Sequence, residues 1–112
     1  VYFKSSNKLP EQVGNYYVEE GLASYYSDQF MGKITASGEA YNPNYLTAAH
    51  RTLPFGTLIK VVNIENGKEV LVRVNDRGPF VEGRIVDLSK KAAKSIGIFE
   101  KGLARVRIEV VE

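Results

Sequence analysis

The clearest pattern in the chain is its last one. In LARVRIEVV (residues 103–111), Ala104, Val106, Ile108 and Val110 alternate with Arg105, Arg107 and Glu109. A strict period of two puts one set against a core and the other in water, so the segment is predicted as a half-buried strand. TLIKVVNI (57–64) and EVLVRVN (69–75) are rich in β-branched residues and predict two more strands. Between them lies Glu65-Asn66-Gly67-Lys68. Asn-Gly between two β runs signals a hairpin, because both residues tolerate positive φ. LASYYS (22–27), LTAAH (46–50) and RIVDL (84–88) add shorter apolar runs. Residues 1–18 show no clear period and read as an irregular arm, with a short strand near 16–18. The folded domain is expected over 20–112, after an arm of 1–19.

One helix is predicted after Leu88. Ser89 can cap it by accepting from the first-turn N–H groups, and Leu88 before the cap can pack on Ala93. Ala92, Ala93 and Ile96 share a face, and Gly97 can end the helix in the left-handed conformation. Lys90 and Lys91 sit at the positive end of the dipole, a mildly unfavourable placement that Asp87 partly offsets. The elements total many short strands and one or two short helices, with no repeat and no linker, which predicts a mainly β barrel or sandwich.

Composition narrows the chemistry. The 112 residues suit one domain, and 15 Lys+Arg against 13 Asp+Glu give a net charge of only +2. That charge, without a basic stripe carrying aromatics, points away from nucleic acid. Lys90, Lys91 and Lys94 read as a solvated helix face. With no cysteine and one histidine, disulfides, thiolate zinc sites and cysteine nucleophiles are excluded. The acids lack calcium-loop spacing. No Gly-x-Ser-x-Gly turn and no phosphate-binding glycine loop is present. No cofactor or metal is therefore expected. No apolar run is long enough to span a bilayer. The chain begins at Val1 rather than Met, so an upstream segment is expected to have been removed or left out, and a missing signal peptide says nothing about secretion.

Candidate chemistry gathers in four places. TASGEAY (35–41) is a loop of small residues holding Glu39. LTAAHRTLPFGT (46–57) holds His50 before a Pro-Phe-Gly turn. VRVNDRGPF (72–80) runs a strand into Asn75, Asp76 and Arg77 and then breaks at Gly-Pro. ASYYS (23–27) holds paired tyrosines. Each has a plain structural reading: a solvent-facing loop acid, a strand-end histidine satisfied by a backbone partner, a turn aspartate bonding the backbone two residues on, and two rings on opposite faces of a strand.

Taken in order, these motifs resemble the rare lipoprotein A (RlpA) family of bacterial envelope proteins. The resemblance spans residues 20–111 and rests on Ala-Ser-Tyr-Tyr, Thr-Ala-Ser-Gly-Glu, Leu-Thr-Ala-Ala-His, Leu-Pro-Phe-Gly-Thr, Val-Asn-Asp-Arg-Gly-Pro-Phe and Arg-Ile-Val-Asp-Leu-Ser with Ala-Ala after it. Ser27-Asp28 departs from the family, which commonly has glycine after the tyrosines. The resemblance implies a six-stranded double-psi β-barrel, like the first domain of expansins and of the inverting endoglucanases related to them. It implies a periplasmic protein or a lipoprotein anchored to the outer membrane. The activity implied is a lytic transglycosylase that cuts peptidoglycan glycan strands stripped of stem peptides. The family's acid falls on Asp76, its supporting glutamate on Glu39 and its histidine on His50.

Such an enzyme cleaves between N-acetylmuramic acid (MurNAc) and N-acetylglucosamine (GlcNAc) without water. The muramic 6-hydroxyl is the nucleophile, so one carboxyl can act as acid and then base; the spaced carboxylate pair of water-using glycosidases is not required. Glu39 is expected to raise the pKa of Asp76 as a like charge, and His50 to hydrogen-bond either acid. Tyr25, Tyr26 and Tyr41 are expected to offer flat faces to sugar rings, with Thr35, Ser37 and Asn75 beside them. Arg77, opposite in direction to Asp76 on an extended strand, is expected to bind a sugar or brace the Gly-Pro turn. The partner expected is the glycan strand, met by a monomer. The alternatives are a glycan-binding or wall-loosening module without turnover, as in expansins, and an envelope interaction protein.

Overall fold

A computed structural model describes residues 17–111. Its strands are β1 (Val18–Tyr25), β2 (Thr47–Ala49), β3 (Leu58–Asn63), β4 (Glu69–Asp76), β5 (Arg84–Leu88) and β6 (Ala104–Val110). One α-helix, α1 (Lys90–Ser95), and a single 3₁₀ turn, Asp28–Phe30, complete it. The strands close in the order β1-β5-β2-β4-β3-β6, with β6 returning to β1. The pairs β1/β5 and β2/β4 are parallel and the others antiparallel. Each parallel pair slips by one residue, between Leu22 and Ala23 in one and between Ala48 and Ala49 in the other.

The alternation expected of β6 holds. Ala104, Val106 and Ile108 are buried, Val110 packs against the core, Arg105 is exposed, and Arg107 and Glu109 are half-buried on the outer face. Val61 of β3, Val72 and Val74 of β4, and Val86 and Leu88 of β5 fill the same interior. The helix and the residues just after it cover part of the barrel, with Ala92 and Ala93 from the helix and Ile96 and Ile98 beyond it. Ser89 Oγ accepts from Ala92 N–H (3.3 Å), as predicted for a cap, and donates to Tyr45 O (2.6 Å). Gly97 ends the helix at φ +78°.

One detail differs from the sequence reading. β1 starts at Val18, so Glu19 lies on a barrel strand rather than in the arm; residues 1–16 of that arm fall outside the described residues. The Asn-Gly hairpin forms between β3 and β4 as expected. Gly67 N–H closes on Asn63 O (2.7 Å) and Asn63 N–H on Lys68 O (2.8 Å). The Asn63 and Asn66 side-chain amides both donate to Ile96 O (2.8 and 3.1 Å). The turn asparagine, Asn66, thus helps satisfy a carbonyl at the helix end.

Candidate active site

β4 ends on Asp76 at the slip between β2 and β4. Ala48 faces Val74 but Ala49 faces Asp76, so Asn75 is passed over. A bulge of this kind bends the strand and re-aims the side chain that follows. His50 N–H donates to Asp76 O (3.1 Å), pinning the strand end to the end of β2. Gly78 at φ +118° then turns the chain away. A side chain there would be strained, which accounts for the glycine.

Three donors hold the Asp76 carboxylate. Ala36 N–H and Arg77 N–H each reach Oδ1 at 2.8 Å. The Tyr26 hydroxyl donates to Oδ2 in a short bond. The Tyr26 phenol is pushed well above its ordinary pKa, chiefly by burial and then by Asp76 itself, so it keeps its proton. Its ring stacks on Tyr41 at 4.5 Å between centroids.

Glu39 sits in the same loop as Ala36, yet its carboxylate serves β4. Arg73 grips it with two bonds of 2.9 Å, and Asn75 Nδ2 donates at 3.0 Å. Arg73 first, then Asn75, lowers its pKa to about 2. The charged partner of the Glu39 carboxylate is thus Arg73 rather than Asp76. What Glu39 does is moor the loop of residues 35–41 to β4. Thr35 Oγ1 donates to Glu39 O (2.6 Å) and Ser37 Oγ accepts from Glu39 N–H (3.3 Å), so both hydroxyls shape that loop.

His50 is buried at the end of β2. Its Nδ1 accepts from the N–H groups of Thr52 and Leu53 (both 3.1 Å), which leaves Nε2 to donate to Glu19 Oε1 (3.0 Å). Glu19 also accepts from the Tyr17 hydroxyl (2.8 Å), and its pKa is lowered, chiefly by the His50 bond. Among the described residues, no side-chain hydrogen bond joins His50, Glu39 and Asp76 to one another. They meet through backbone: His50 at the strand end, Glu39 through its loop.

Asp76 opens into a groove of about 450 Å³ shared with Tyr25, Tyr26, Phe30, Phe80, Arg84 and Asp87. Tyr25 stacks on Phe99 (5.2 Å) and donates to its carbonyl (2.6 Å). Tyr41 is buried, backs the Tyr26 ring and accepts from Lys90 N–H (3.1 Å), so it offers no face to a sugar. The exposed rings at the groove are Phe30 and Phe80. Asn75 is buried against Glu39. Arg77 turns away from Asp76 as expected, but onto the carbonyls of His50 (3.1 Å) and Leu53 (2.8 Å) and the Phe55 ring. Arg51 is the residue that braces the turn after Asp76, donating to Pro79 O, Val81 O and Arg84 O. Sequence reasoning missed Arg51, Arg73 and Glu19, and missed Tyr26 as the partner of Asp76. A larger hollow, of about 680 Å³, lies beside Lys90, Lys91 and Lys94, away from Asp76.

A closed six-stranded barrel with two slipped parallel pairs is a double-psi β-barrel, and here an acid at one strand end opens into a groove. The model of the lytic transglycolase family matches residues 18–108. The chain belongs to that family. It is 56% identical over 92 residues to the endolytic peptidoglycan transglycosylase RlpA of Campylobacter jejuni, covering 82% of this chain and 34% of that one. It is 54% identical over 95 residues to the probable endolytic peptidoglycan transglycosylase RlpA of Synechocystis, covering 85% and 30%. The chain spans about a third of the length of these relatives. Among solved structures it is similar to a Streptomyces papain inhibitor (TM-score 0.69, 22% identity, 86% of this chain and 96% of that). It is also similar to the Clavibacter michiganensis expansin (TM-score 0.66, 23% identity, 86% and 51%). At these identities the likeness is one of fold, and a barrel alone fixes no activity.

Proposed function

We propose that this barrel is the catalytic domain of a peptidoglycan lytic transglycosylase of the cell envelope, cutting the MurNAc–GlcNAc bond to leave 1,6-anhydro ends. Its substrate is a glycan strand freed of stem peptides. In the full-length protein the domain works as a monomer in the periplasm or from an outer-membrane lipid anchor. The observation that carries the reading is the mounting of Asp76. One carboxyl stands at a rigid strand end in an open groove, with Oδ1 tied to two backbone N–H groups and Oδ2 held by the Tyr26 hydroxyl. The names of the relatives supply the substrate.

In the reaction, Asp76 Oδ2 gives its proton to the glycosidic oxygen as the C1–O bond breaks. The muramic 6-hydroxyl then attacks its own C1 and returns its proton to Oδ2. No water enters, and one carboxyl does both transfers. Tyr26, unable to ionise near neutral pH, fixes the Oδ2 direction. Glu39 and His50 act as positioning residues, one through the loop that brings Ala36 N–H, the other through the end of β2.

The test is turnover of stripped glycan by the parent and by Asp76→Asn, with product mass and glycan pull-down read together. An anhydro end is lighter than a hydrolysed one by a water. The amide cannot donate and retake the proton, so the variant should lose about 10²–10⁴-fold in rate while still binding. Undiminished cutting by Asp76→Asn would remove Asp76 as the acid. If neither protein cuts and both bind equally, the barrel is a glycan-binding module.

A further inference from the structure

The groove holds two guanidinium groups, and only one is fully used. Arg77 is spent on two carbonyls and a phenyl ring. Arg84 makes one bond, from Nη2 to Asp87 Oδ1, at a long 3.3 Å. Its Nε is buried with no acceptor, the single such side-chain atom among the described residues. A buried donor without a partner is unfavourable, and native proteins keep few of them. The side chain is still 30% exposed and lines the same groove as Asp76. Its backbone, by contrast, is fixed: Arg84 begins β5 opposite Leu22, and its carbonyl accepts from Arg51. Asp87 is itself held by the Ser24 hydroxyl on the same oxygen. The result is a cation mounted on a rigid strand, lightly tethered, with donors to spare.

We propose that Arg84 is the subsite for the lactyl carboxylate of a muramic residue, and that it makes the groove select strands whose stem peptides are gone. The proposal deepens the transglycosylase reading and rests on its site. The chemistry is selective. Along a peptidoglycan strand the sugars are neutral, and the lactyl group is a neutral amide while a peptide is attached. Removing the peptide exposes one carboxylate per disaccharide. A guanidinium fork matches a carboxylate with paired charged hydrogen bonds, which a lone ammonium cannot reproduce. The groove also carries two acids, Asp76 and Asp87, so an anionic substrate needs a cation there to be accepted at all.

The experiment compares the parent, Arg84→Gln and Arg84→Lys on three glycans: stripped strands, the same strands with lactyl carboxylates converted to primary amides, and strands still bearing peptides. The quantity read is the ratio of kcat/KM between substrates for one protein, which cancels any loss of folded material. The parent should favour the free acid over the amide by roughly tenfold or more, as for a charge-assisted pair. Arg84→Gln should treat the two alike, and Arg84→Lys should keep part of the preference. A parent that does not discriminate, or an Arg84→Gln that keeps the parental ratio, overturns the proposal. A parent preference for peptide-bearing strands that Arg84→Gln removes would place the anion on the peptide and also overturn it. Should the parent bind but not cut, the same ratios are read from binding. Preference for the acid that is lost in Arg84→Gln then upholds the subsite while the transglycosylase reading fails, and equal binding overturns the subsite.

Discussion

At the scale of single residues, the candidate site is an aspartate held by two backbone N–H groups and one phenol. Tyr26→Phe deletes one hydrogen bond to Asp76 Oδ2 and leaves the ring stack on Tyr41 in place. Turnover should fall about tenfold or more, the worth of a bond to a charged group, with a shifted pH–rate profile and little change in melting temperature. An unmoved profile would make Tyr26 packing only. Glu39→Gln tests the mooring of the loop. The folded Glu39 titrates at about 2, against an ordinary 4.5, so its stabilisation is full above the ordinary value and is lost as pH falls through about 2. The melting difference between parent and variant should therefore be largest near neutrality, shrink below pH 4.5 and vanish near 2. Both side chains are a third exposed or more, so the gap should be modest. A gap that grows on acidification would contradict the assignment. Asp76, Glu39 and His50 could be named as candidates from the sequence because their motifs are ordered. The sequence could not show that His50 would spend both ring nitrogens on Glu19 and two backbone groups, because that partner lies 31 residues away in a stretch without a period.

At the scale of elements, hydrophobic period was a good guide wherever a strand has one wet face. β6 is the plainest case. Ile108 is fully buried, while Glu109 on the outer face meets Arg107 and Lys60. Ile108→Ala should cost about 2–5 kcal/mol, and Glu109→Ala well under about 1 kcal/mol. Equal melting shifts would mean the register is wrong. The helix was legible from its cap and its closing glycine for the same local reasons. Ser89→Ala should cost about 0.5–2 kcal/mol by the usual worth of a cap, toward the upper end because the same hydroxyl also donates to Tyr45 O. A neutral substitution would show that Ser89 is not the cap. What the period cannot encode is the slip between Ala48 and Ala49. That one-residue shift sends Asp76 into the groove, and it belongs to strand pairing rather than to either strand alone.

At the scale of the whole molecule, closure leaves no strand with a free edge, and β1 pairs with β5 on one side and β6 on the other. The β1/β5 seam also carries one flank of the groove: Tyr25 from one strand, Arg84 and Asp87 from the other. Gly21 makes the close approach there possible. A Cβ at Gly21 would lie 2.6 Å from Ile85 Cγ2 and 3.2 Å from Gly83 O, and a β-branched side chain packed in the core has little room to yield. Gly21→Ala should thus destabilise by about 1–3 kcal/mol through overpacking, although alanine is otherwise the better strand residue. Ile85→Ala alone should cost about 2–5 kcal/mol as a cavity. Combined, each change relieves the other, because the new methyl enters the space the isoleucine leaves. The double variant should cost less than the sum of the singles by about 0.5–3 kcal/mol, measured by denaturant unfolding. Additivity within about 0.5 kcal/mol would mean that the seam has slack and that the groove's flank is set elsewhere, by Arg51 gripping the turn between β4 and β5.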